Sequence, residues 1–329
     1  MSMIKRFLAI LLLSAMALTL IPHALADEPR PVNVLTPEET RPTPTGIHHY
    51  MLICMDSWAA KLNNPGHTDG LILVTVDEYA KRVMLTSFIR DMLIAHPEGG
   101  FGRINNIVSM YSPVLKNGRD GAAGIQMLID VINSHFDLRI EKFIVVDFKM
   151  VENIINAVGG VDITITNKEA NYLRSYAISR SSTSPALSGA GTYHFSGHAV
   201  VIYMRIRKVA NIEGETQDVG RTRRARTVLT NIADSLKDIT YEDATKLLSA
   251  VVENTLYTNM STDDMMAALD LAMQLRGTPV EQIRMPIDGT YHPMPLAGMA
   301  TQEVDFITNR YALWDFFLNS FIVVEDEGE

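Results

Sequence analysis

Apolar runs alternate with segments of helical periodicity along the first half of the chain. The runs IHHYMLICM, GLILVTVD and RVMLTSF predict strands, and the short polar connection between the last two predicts a hairpin of Leu71–Val76 and Val83–Phe88. Helical spacing in DGAAGIQMLIDVINSHF and KMVENIINAVGG, together with the strand-like runs IEKFIVVDF and VDITI, continues the alternation. This order predicts an α/β fold, a three-layer α/β/α sandwich around a central mixed sheet.

The N-terminal part of the chain follows another pattern. Two basic residues precede an apolar run, Phe7–Ile21, and small residues follow it, which predicts a secretory signal peptide over residues 1–26. An uncleaved N-terminal anchor is the alternative. Residues 27–46 are rich in Pro, Thr and Glu and predict an extended linker, so that residues 47–329 form a single domain. A signal or anchor places the protein outside the cytoplasm, secreted or tethered at the cell envelope.

The second half of the chain offers weaker signals. Residues 174–197 are rich in Ser, Gly and Thr, and this loop composition fits a mobile lid beside a site as well as an ordinary surface insertion. Beyond residue 240 the pattern is helical, as in MMAALDLAMQL, with one short strand-like run, QIRMPI. No linker or internal repeat indicates a second domain there.

Composition narrows the class of function. A hydrophobic content of 47% predicts a folded globular protein, and a net charge of -9 argues against broad electrostatic binding to nucleic acid. Any anion site must therefore be local. The single cysteine, Cys54, excludes an intramolecular disulfide, and its apolar neighbours predict a buried structural thiol.

One segment departs from the acidic balance. Between residues 203 and 229 the chain carries six arginines and one lysine, namely Arg205, Arg207, Lys208, Arg221, Arg223, Arg224 and Arg226. Guanidinium groups present a rigid fork of donors that matches phosphate. The segment therefore indicates a phosphate-bearing ligand, with a solvated helix face as the alternative.

The later part of this basic segment has the period of a helix. Its apolar stripe consists of Ala225, Val228, Ile232 and Leu236. Arg221 extends the stripe and Arg224 lies beside it, whereas Arg223 and Arg226 point to the side and are expected to be solvated. Cations near a helix N-terminus oppose the helix dipole, so their clustering there favours a bound anion. Asp218 is expected either to cap the helix or to hold one of the arginines.

Acidic and basic residues also mark the ends of the predicted strands. Asp56 follows the first strand, Asp69 begins the second, and Arg90 and Asp91 end the hairpin. Ligands of α/β proteins commonly bind beyond strand ends. Two carboxylates at neighbouring strand ends can share a hard cation such as magnesium, although acidic residues often end strands without binding metal.

Several motifs in a fixed order resemble one family. The runs MLICMDSW, HTDGLILVTVD, VMLTSFIRD, RINNIVSMY, VDFKMVENIINAVGGVDI, FSGHAVVIYMRIR and DVGRTRRA are similar to those of the LytR-CpsA-Psr cell-wall enzymes, from about Ile47 to Leu236. The resemblance implies an α/β/α protein at the outer face of the bacterial cytoplasmic membrane, binding a polyprenyl (pyro)phosphate lipid with its tail in an apolar pocket. It also implies magnesium-dependent transfer of a glycopolymer phosphate, such as teichoic acid or capsule, onto peptidoglycan or a related wall acceptor.

The resemblance assigns roles to matching positions. It implies metal-linked carboxylates at Asp56 and Asp69. The phosphate-binding and catalytic positions that it implies are Arg90, Arg103 (where the family usually has lysine), Arg205, Arg207, Asp218, Arg221 and Arg224. Asp91 and Asp218 are both candidates to take the proton of an attacking sugar hydroxyl, and either can instead orient an arginine.

Two positions depart from the family pattern. His67 stands where arginine is usual and is expected to contact substrate, and Ala225 stands where glutamine is usual. Each lost charge-assisted contact costs about 1.5–3 kcal/mol. These departures motivate an alternative function, a non-catalytic polyprenyl-phosphate binder or regulator of envelope assembly. A phosphatase of soluble phosphoesters is a third hypothesis.

Overall fold

The computed structural model describes residue 29, residues 32–176, residue 178 and residues 186–318. The predicted signal peptide or anchor over residues 1–26 lies outside the described residues, as does the middle of the predicted lid. The described strands are β1 (Ile47–Met55), β2 (Thr68–Asp77), β3 (Arg82–Phe88), β4 (Leu93–Ala95), β5 (Phe101–Arg103), β6 (Val114–Leu115), β7 (Gly118–Arg119), β8 (Lys142–Val146), β9 (Val161–Ile165), β10 (Gly191–Phe195), β11 (Tyr257–Thr258), β12 (Val280–Met285), β13 (Tyr291–Pro293) and β14 (Gln302–Val304).

The helices alternate with these strands as the sequence pattern predicts. They are α1 (Ile107–Met110), α2 (Gly121–Phe136), α3 (Phe148–Ala157), α4 (Asn167–Ser175), α5 (Gly197–Met204), α6 (Gln217–Ser235), α7 (Tyr241–Glu253), α8 (Thr262–Gln274) and α9 (Phe306–Leu318), and a short 3-10 helix spans Ile104–Asn106. Asp120 and Asp147 cap α2 and α3 through hydrogen bonds to backbone N–H groups of the first turn.

A six-stranded mixed sheet forms the middle layer, in the order β11-β8-β1-β2-β3-β12. The predicted hairpin is confirmed, since β2 and β3 pair antiparallel with Ile72 opposite Ser87. β8 runs parallel to β1, and β12 runs parallel to β3. The strand predicted in QIRMPI thus becomes the edge of the same sheet.

The two faces of this sheet have different environments. Along β1 fully buried side chains alternate with partly exposed ones. The buried set, with Met51 and Ile53, joins residues of α2 and α9 in the main hydrophobic core. The alternate set, with Leu52 and Cys54, faces α3, α5 and α6 across an apolar cavity. The three-layer α/β/α prediction is confirmed, and one of its layers is separated from the sheet by open space.

The pairing of β1 with β2 is irregular at the C-terminal end of β1. Cys54 pairs with Gly70, and the register shifts between Cys54 and Met55. A Cβ built on Gly70 would lie 2.9 Å from the Cβ of Cys54, so the strands approach too closely for a side chain there. The bulge re-aims the residues that follow, which include Asp56.

Two sequence predictions differ from the fold. Residues 32–46 are not an extended linker: the Arg41 N–H donates to Asp137, and the Arg139 guanidinium donates to the Thr40 carbonyl, so partly buried hydrogen bonds fix this segment to the domain. The predicted loop 174–197 contains strand β10, which pairs with β9 in a separate two-stranded sheet. Within the part of the chain that the structure describes, no helix has the length and hydropathy needed to span a membrane.

Candidate phosphate-binding site

The ends of β1, β2 and β3 and the start of α6 converge on one site. The backbone N–H of Asp56 donates to the His67 carbonyl at 2.9 Å, which holds the two strand ends together. Asp69 is the second residue of β2, Arg90 follows β3, and Asp218 and Arg221 lie in the first two turns of α6. The sequence prediction that these strand ends and this helix start share a site is thus consistent with their placement.

Asp69 is the centre of the site. Arg90 Nη1 donates to its two carboxylate oxygens at 2.5 and 2.6 Å, and Arg221 donates from Nη1 to Oδ2 at 2.6 Å and from Nη2 to the Asp69 carbonyl at 2.8 Å. Burial alone would raise the pKa of Asp69, but the charges and hydrogen bonds of Arg221 and Arg90 outweigh it, and the pKa lies below its usual range. Asp69 is therefore anionic and fixes both guanidinium groups.

Asp218 is the second carboxylate that orders the arginines. It lies 3.3 Å from Arg207 Nε, 3.3 Å from Arg221 Nη2 and 3.4 Å from Arg90 Nε. The N-cap position of α6 belongs to Thr216, so Asp218 holds arginines and does not cap the helix. Its negative charge in the first turn also compensates the positive end of the helix dipole.

Arg205, Arg207 and Asp56 form the outer, half-exposed part of the site. The side chains of Arg205 and Arg207 are 44% and 42% exposed, and Arg205 Nη2 lies 3.9 Å from Asp56 Oδ1. Arg205 also stacks on the Phe148 ring, with 4.4 Å from guanidinium carbon to ring centroid. These two arginines can turn toward an incoming anion with little disruption of the core.

Arg224 does not contact this site, and the prediction of a substrate contact is wrong. Its side chain is 0% exposed and pairs with the equally buried Glu169, Nε to Oε1 at 2.8 Å. The remaining donors bond the carbonyls of Ile206 and Val209. Arg224 is therefore a structural residue that ties α6 to α4 and to the segment after α5.

The prediction that Arg223 and Arg226 are both solvated is also wrong for one of them. Arg223 is partly exposed and pairs with Glu215 at 2.6 Å. Arg226 is buried, donates to Ser87 Oγ and Gln282 Oε1, and so joins α6 to β3 and β12. Burial lowers the pKa of Arg226 to about 10. Helical periodicity alone predicts that the face of α6 carrying Arg226 is exposed to solvent. The edge strand β12, which comes from a distant part of the chain, covers that face.

Three further predicted residues lie around the site without joining its arginine–aspartate network. Asp91 is half-buried beside Arg90, and burial together with the charge of Asp218 raises the pKa of Asp91. Arg103 is half-buried, and its Nε has no hydrogen-bond partner among the described residues. His67 is exposed at the strand end opposite Asp56.

An apolar cavity of about 170 Å³ opens directly beside the charged residues. Asp69, Arg205 and Arg221 line its polar end, and Phe148, Ala225 and Val228 are among its apolar walls. A second apolar cavity of about 460 Å³ lies further along the same face of the sheet, between β1–β3 and helices α6, α7 and α8. Leu229 lines both cavities.

The sequence signal for these cavities was the apolar stripe of α6, which also fits ordinary core packing. Ala225 and Val228 line the first cavity, while Ile232 and Leu236 line the second. The stripe correctly predicts the inward face. It does not reveal that open space lies between that face and the sheet.

The acidic groups limit what kind of metal can bind. Among the described residues no group of three or more His, Cys, Asp or Glu side chains could form a protein-only metal cage. Magnesium is commonly held by one or two carboxylates together with substrate phosphates and water. Asp56 and Asp69 are carboxylates of that kind, and both carboxylate oxygens of Asp69 already accept hydrogen bonds from Arg90 or Arg221.

Comparison with known proteins places this geometry in a family. The sequence model described as LytR_cpsA_psr matches residues 39–311, which is most of the chain. The chain belongs to the LytR_cpsA_psr family. The family prediction made from the motifs is thereby confirmed, and it extends past Leu236 into the less sharply matched C-terminal part.

The names of the curated relatives of this LytR_cpsA_psr protein describe two kinds of function, regulation and transfer. Biofilm regulatory protein A of Streptococcus mutans is 30% identical over 196 residues, 57% of this chain and 44% of the relative. Polyisoprenyl-teichoic acid–peptidoglycan teichoic acid transferase TagU of Bacillus licheniformis is 26% identical over 61% of this chain and 56% of its own length. The chain spans about half the length of the curated relatives it matches.

Solved structures share the LytR_cpsA_psr fold. TagV of B. subtilis superposes with a TM-score of 0.61 at 19% identity, covering 83% of this chain and 98% of that chain. YwtF (TagT), solved with bound octaprenyl pyrophosphate lipid, superposes with a TM-score of 0.58 at 17% identity, covering 82% of this chain and 90% of that chain. The overall fold prediction is confirmed by these likenesses.

Proposed function

We propose that the protein transfers a glycopolymer phosphate from a polyprenyl pyrophosphate carrier to a hydroxyl group of peptidoglycan or a related wall acceptor. The observation that supports this most is the junction of two ligand environments: an apolar cavity ends at Asp69 and Arg221, beside a cluster of ordered arginines. A lipid pyrophosphate has matching parts, an apolar chain joined to two phosphates. The proposed site of action is the outer face of the cytoplasmic membrane, where such carriers meet the wall.

The two cavities are the proposed site of the prenyl chain. They lie along one face of the sheet and share Leu229, so a chain entering beside Arg221 can continue from the smaller cavity into the larger one. Ala225 belongs to the wall of the smaller cavity, where a methyl group suits contact with a hydrocarbon chain. Its departure from the family glutamine is therefore compatible with lipid binding.

The arginines are proposed to bind the pyrophosphate. Asp69 and Asp218 fix Arg90 and Arg221 before ligand arrives, so little reorganisation is needed when phosphate oxygens approach. Arg207, half-exposed, adds a mobile donor at the outer side. If magnesium binds, Asp56 and Asp69 are the residues that would hold it with phosphate oxygens, and it would supply additional positive charge there.

The proposed reaction is a displacement at the phosphorus atom that carries the glycopolymer. The acceptor hydroxyl oxygen forms a new bond to this phosphorus, the bond to the bridging oxygen breaks, and polyprenyl phosphate leaves with the bonding electrons. Arg90, Arg207 and Arg221 stabilise the negative charge that develops on the leaving oxygens. Asp91 is proposed to take the hydroxyl proton, because Asp218 lies within 3.4 Å of three arginines and serves as their counter-ion.

The test uses the purified full-length chain, a polyprenyl pyrophosphate-linked sugar and a peptidoglycan fragment. Polyprenyl phosphate release and acceptor modification are measured with magnesium and then with a chelator. Arg90→Ala and Asp69→Ala are each expected to reduce turnover roughly hundredfold. Arg223→Ala, on the same helix as Arg221 but paired with Glu215, is the matched control and is expected to retain activity.

The outcomes separate the competing functions. Unchanged turnover in both site variants would remove the assigned site, and turnover in the presence of chelator would refute the magnesium requirement. The native chain could bind the lipid tightly without turnover, while His67→Arg combined with Ala225→Gln gains turnover. That result would favour the non-catalytic binder. Faster hydrolysis of simple phosphoesters than of lipid substrates would favour the phosphatase. The transferase names of several relatives support transfer over these alternatives.

A further inference from the structure

An exposed tryptophan lies at the rim of the phosphate-binding site. Trp58 follows the end of β1 and remains 37% exposed, although it is the largest apolar side chain type. Its indole packs against the His198 ring, with centroids 5.5 Å apart and planes 34° apart, and against the Phe148 ring at 5.6 Å and 64°. The ring is therefore held in place by two aromatic neighbours while part of its surface faces solvent.

This held ring is continuous with the site. Phe148 contacts Trp58 through one part of its ring and carries the Arg205 guanidinium 4.4 Å from its centroid. Phe148 also lines the cavity that ends at Asp69. Asp56, two residues before Trp58, faces Arg205 at 3.9 Å. A group attached to a phosphate near Arg205 would thus come within reach of the indole.

We propose that Trp58 forms a sugar-binding subsite that stacks against the pyranose ring next to the pyrophosphate of the lipid-linked substrate. The inference rests on the proposed function, since it assigns the sugar end of the same ligand. The C–H groups on one side of a pyranose carry slight positive charge and pack well on the electron-rich face of an indole. A rigid aromatic side chain loses little conformational entropy when it makes such a contact.

The surroundings of Trp58 favour a sugar over a lipid surface. Asp56 lies close in sequence, and His198, which packs on the indole, pairs with Glu152 at 3.3 Å. Carboxylates accept hydrogen bonds from sugar hydroxyls. Membrane contact by Trp58 is the alternative outcome that the experiment must separate.

Two ligands that differ only in the sugar provide the test: farnesyl pyrophosphate and farnesyl pyrophosphate linked to N-acetylglucosamine. Their affinities for the full-length protein are measured with the native chain, Trp58→Ala, Trp58→Phe and the control Tyr79→Ala, an exposed aromatic in the β2–β3 turn at the opposite end of β2. Trp58→Ala is expected to weaken the sugar-bearing ligand roughly three- to tenfold and to leave the sugar-free ligand unchanged. Trp58→Phe is expected to recover part of the loss.

Fluorescence supplies a readout that is independent of turnover. The chain has two tryptophans, and the second, Trp314, is only 3% exposed, so the difference between native and Trp58→Phe emission reports Trp58. The sugar-bearing ligand is expected to shift this emission and to reduce its quenching by acrylamide.

Equal affinity losses for both ligands in Trp58→Ala, or no loss for either, would overturn the sugar subsite. A shift produced by phosphatidylglycerol vesicles alone, with no sugar-dependent difference, would assign Trp58 to the membrane and also overturn it. Failure of the native chain to bind either ligand would instead refute the proposed lipid-pyrophosphate function.

Discussion

Replacement of Arg224 separates structural arginines of helix α6 from ligand-binding ones. Arg224 and Glu169 are fully buried, and Arg224→Met removes the guanidinium that donates to Glu169 Oε1 and to the Ile206 and Val209 carbonyls. Removing one partner of a buried ion pair costs about 3–5 kcal/mol. For a domain of this size that corresponds to a fall in Tm of roughly 5–9 °C.

The assay is thermal unfolding followed by circular dichroism, paired with lipid-pyrophosphate binding at a temperature where the variant is folded. Arg224→Met is expected to lose stability and to keep its affinity for ligand. Adding Glu169→Gln should restore part of the Tm, because it removes the unpaired charge and keeps an oxygen that can accept the Thr166 N–H hydrogen bond of the capping box. Arg223→Met, one position away, breaks only a partly exposed pair and is expected to change stability by less than about 1 kcal/mol.

A different result would refute the reasoning directly. Arg224→Met could have the same Tm as the native chain and yet bind lipid pyrophosphate at least tenfold more weakly. Arg224 would then contact the ligand, and its side chain would not remain buried in the ligand-bound protein. If the added Glu169→Gln substitution lowers Tm further, the destabilisation does not come from a stranded carboxylate.

Three further predictions concern the cavity, a buried histidine and the central carboxylate. Leu229→Trp narrows the region shared by the two cavities and should weaken octaprenyl pyrophosphate binding by more than tenfold while leaving farnesyl pyrophosphate unaffected; equal losses in a ligand titration would contradict a continuous tail path. Burial lowers the pKa of His49 to about 4, so its contribution to stability is complete above pH 6.5 and declines as the pH falls toward 4. Between pH 7 and 5 the free energy of unfolding of the native chain is expected to fall by roughly 2 kcal/mol because of His49. In urea unfolding, the His49→Gln variant should not show this part of the decrease. Asp69 has a lowered pKa, so its ion pairs stabilise the fold above about pH 4 and are lost as the pH falls through the folded-state value. Asp69→Asn should therefore be less stable than the native chain at pH 7, and the two unfolding curves should converge in acid; a constant difference down to pH 2 would exclude this assignment.

The fold and the inner part of the site were accessible from the sequence because they depend on local pattern. Strand runs, the hairpin connection and the helix period fix where Asp56, Asp69 and Arg90 stand, and strand ends in a mixed sheet meet at one edge. The arginine-rich start of α6 had to lie near them to bury its apolar stripe. The family motifs agree with this placement.

The parts that sequence reasoning missed depend on partners far along the chain. Arg221 and Arg224 are three residues apart and lie on neighbouring positions of one helix face. What separates their roles is Glu169, which lies 55 residues before Arg224 and neutralises it inside the protein. Arg226 became buried because β12, from the C-terminal part, forms the sheet edge beneath it. Local periodicity carries no signal for such distant partners.

The cavities illustrate a further limit of pattern reading. An inward apolar stripe looks the same whether it meets packed side chains or open space. Folded proteins normally fill such space, since each missing contact lowers stability. The two apolar cavities that share Leu229 as a lining residue therefore lower the stability of this domain, and a hydrocarbon ligand that fills them would restore the missing contacts.

The close approach of β1 and β2 has a consequence for how this sequence can change over generations. Gly70 faces Cys54, and a side chain at position 70 would overlap the Cys54 Cβ at 2.9 Å. Any larger residue at 70 would push apart the strands that carry Asp56 and Asp69, unless position 54 became glycine at the same time. Mutations at these two positions are thus expected to be inherited together, and a lineage that changed only one of them would first have to lose the geometry of its phosphate site.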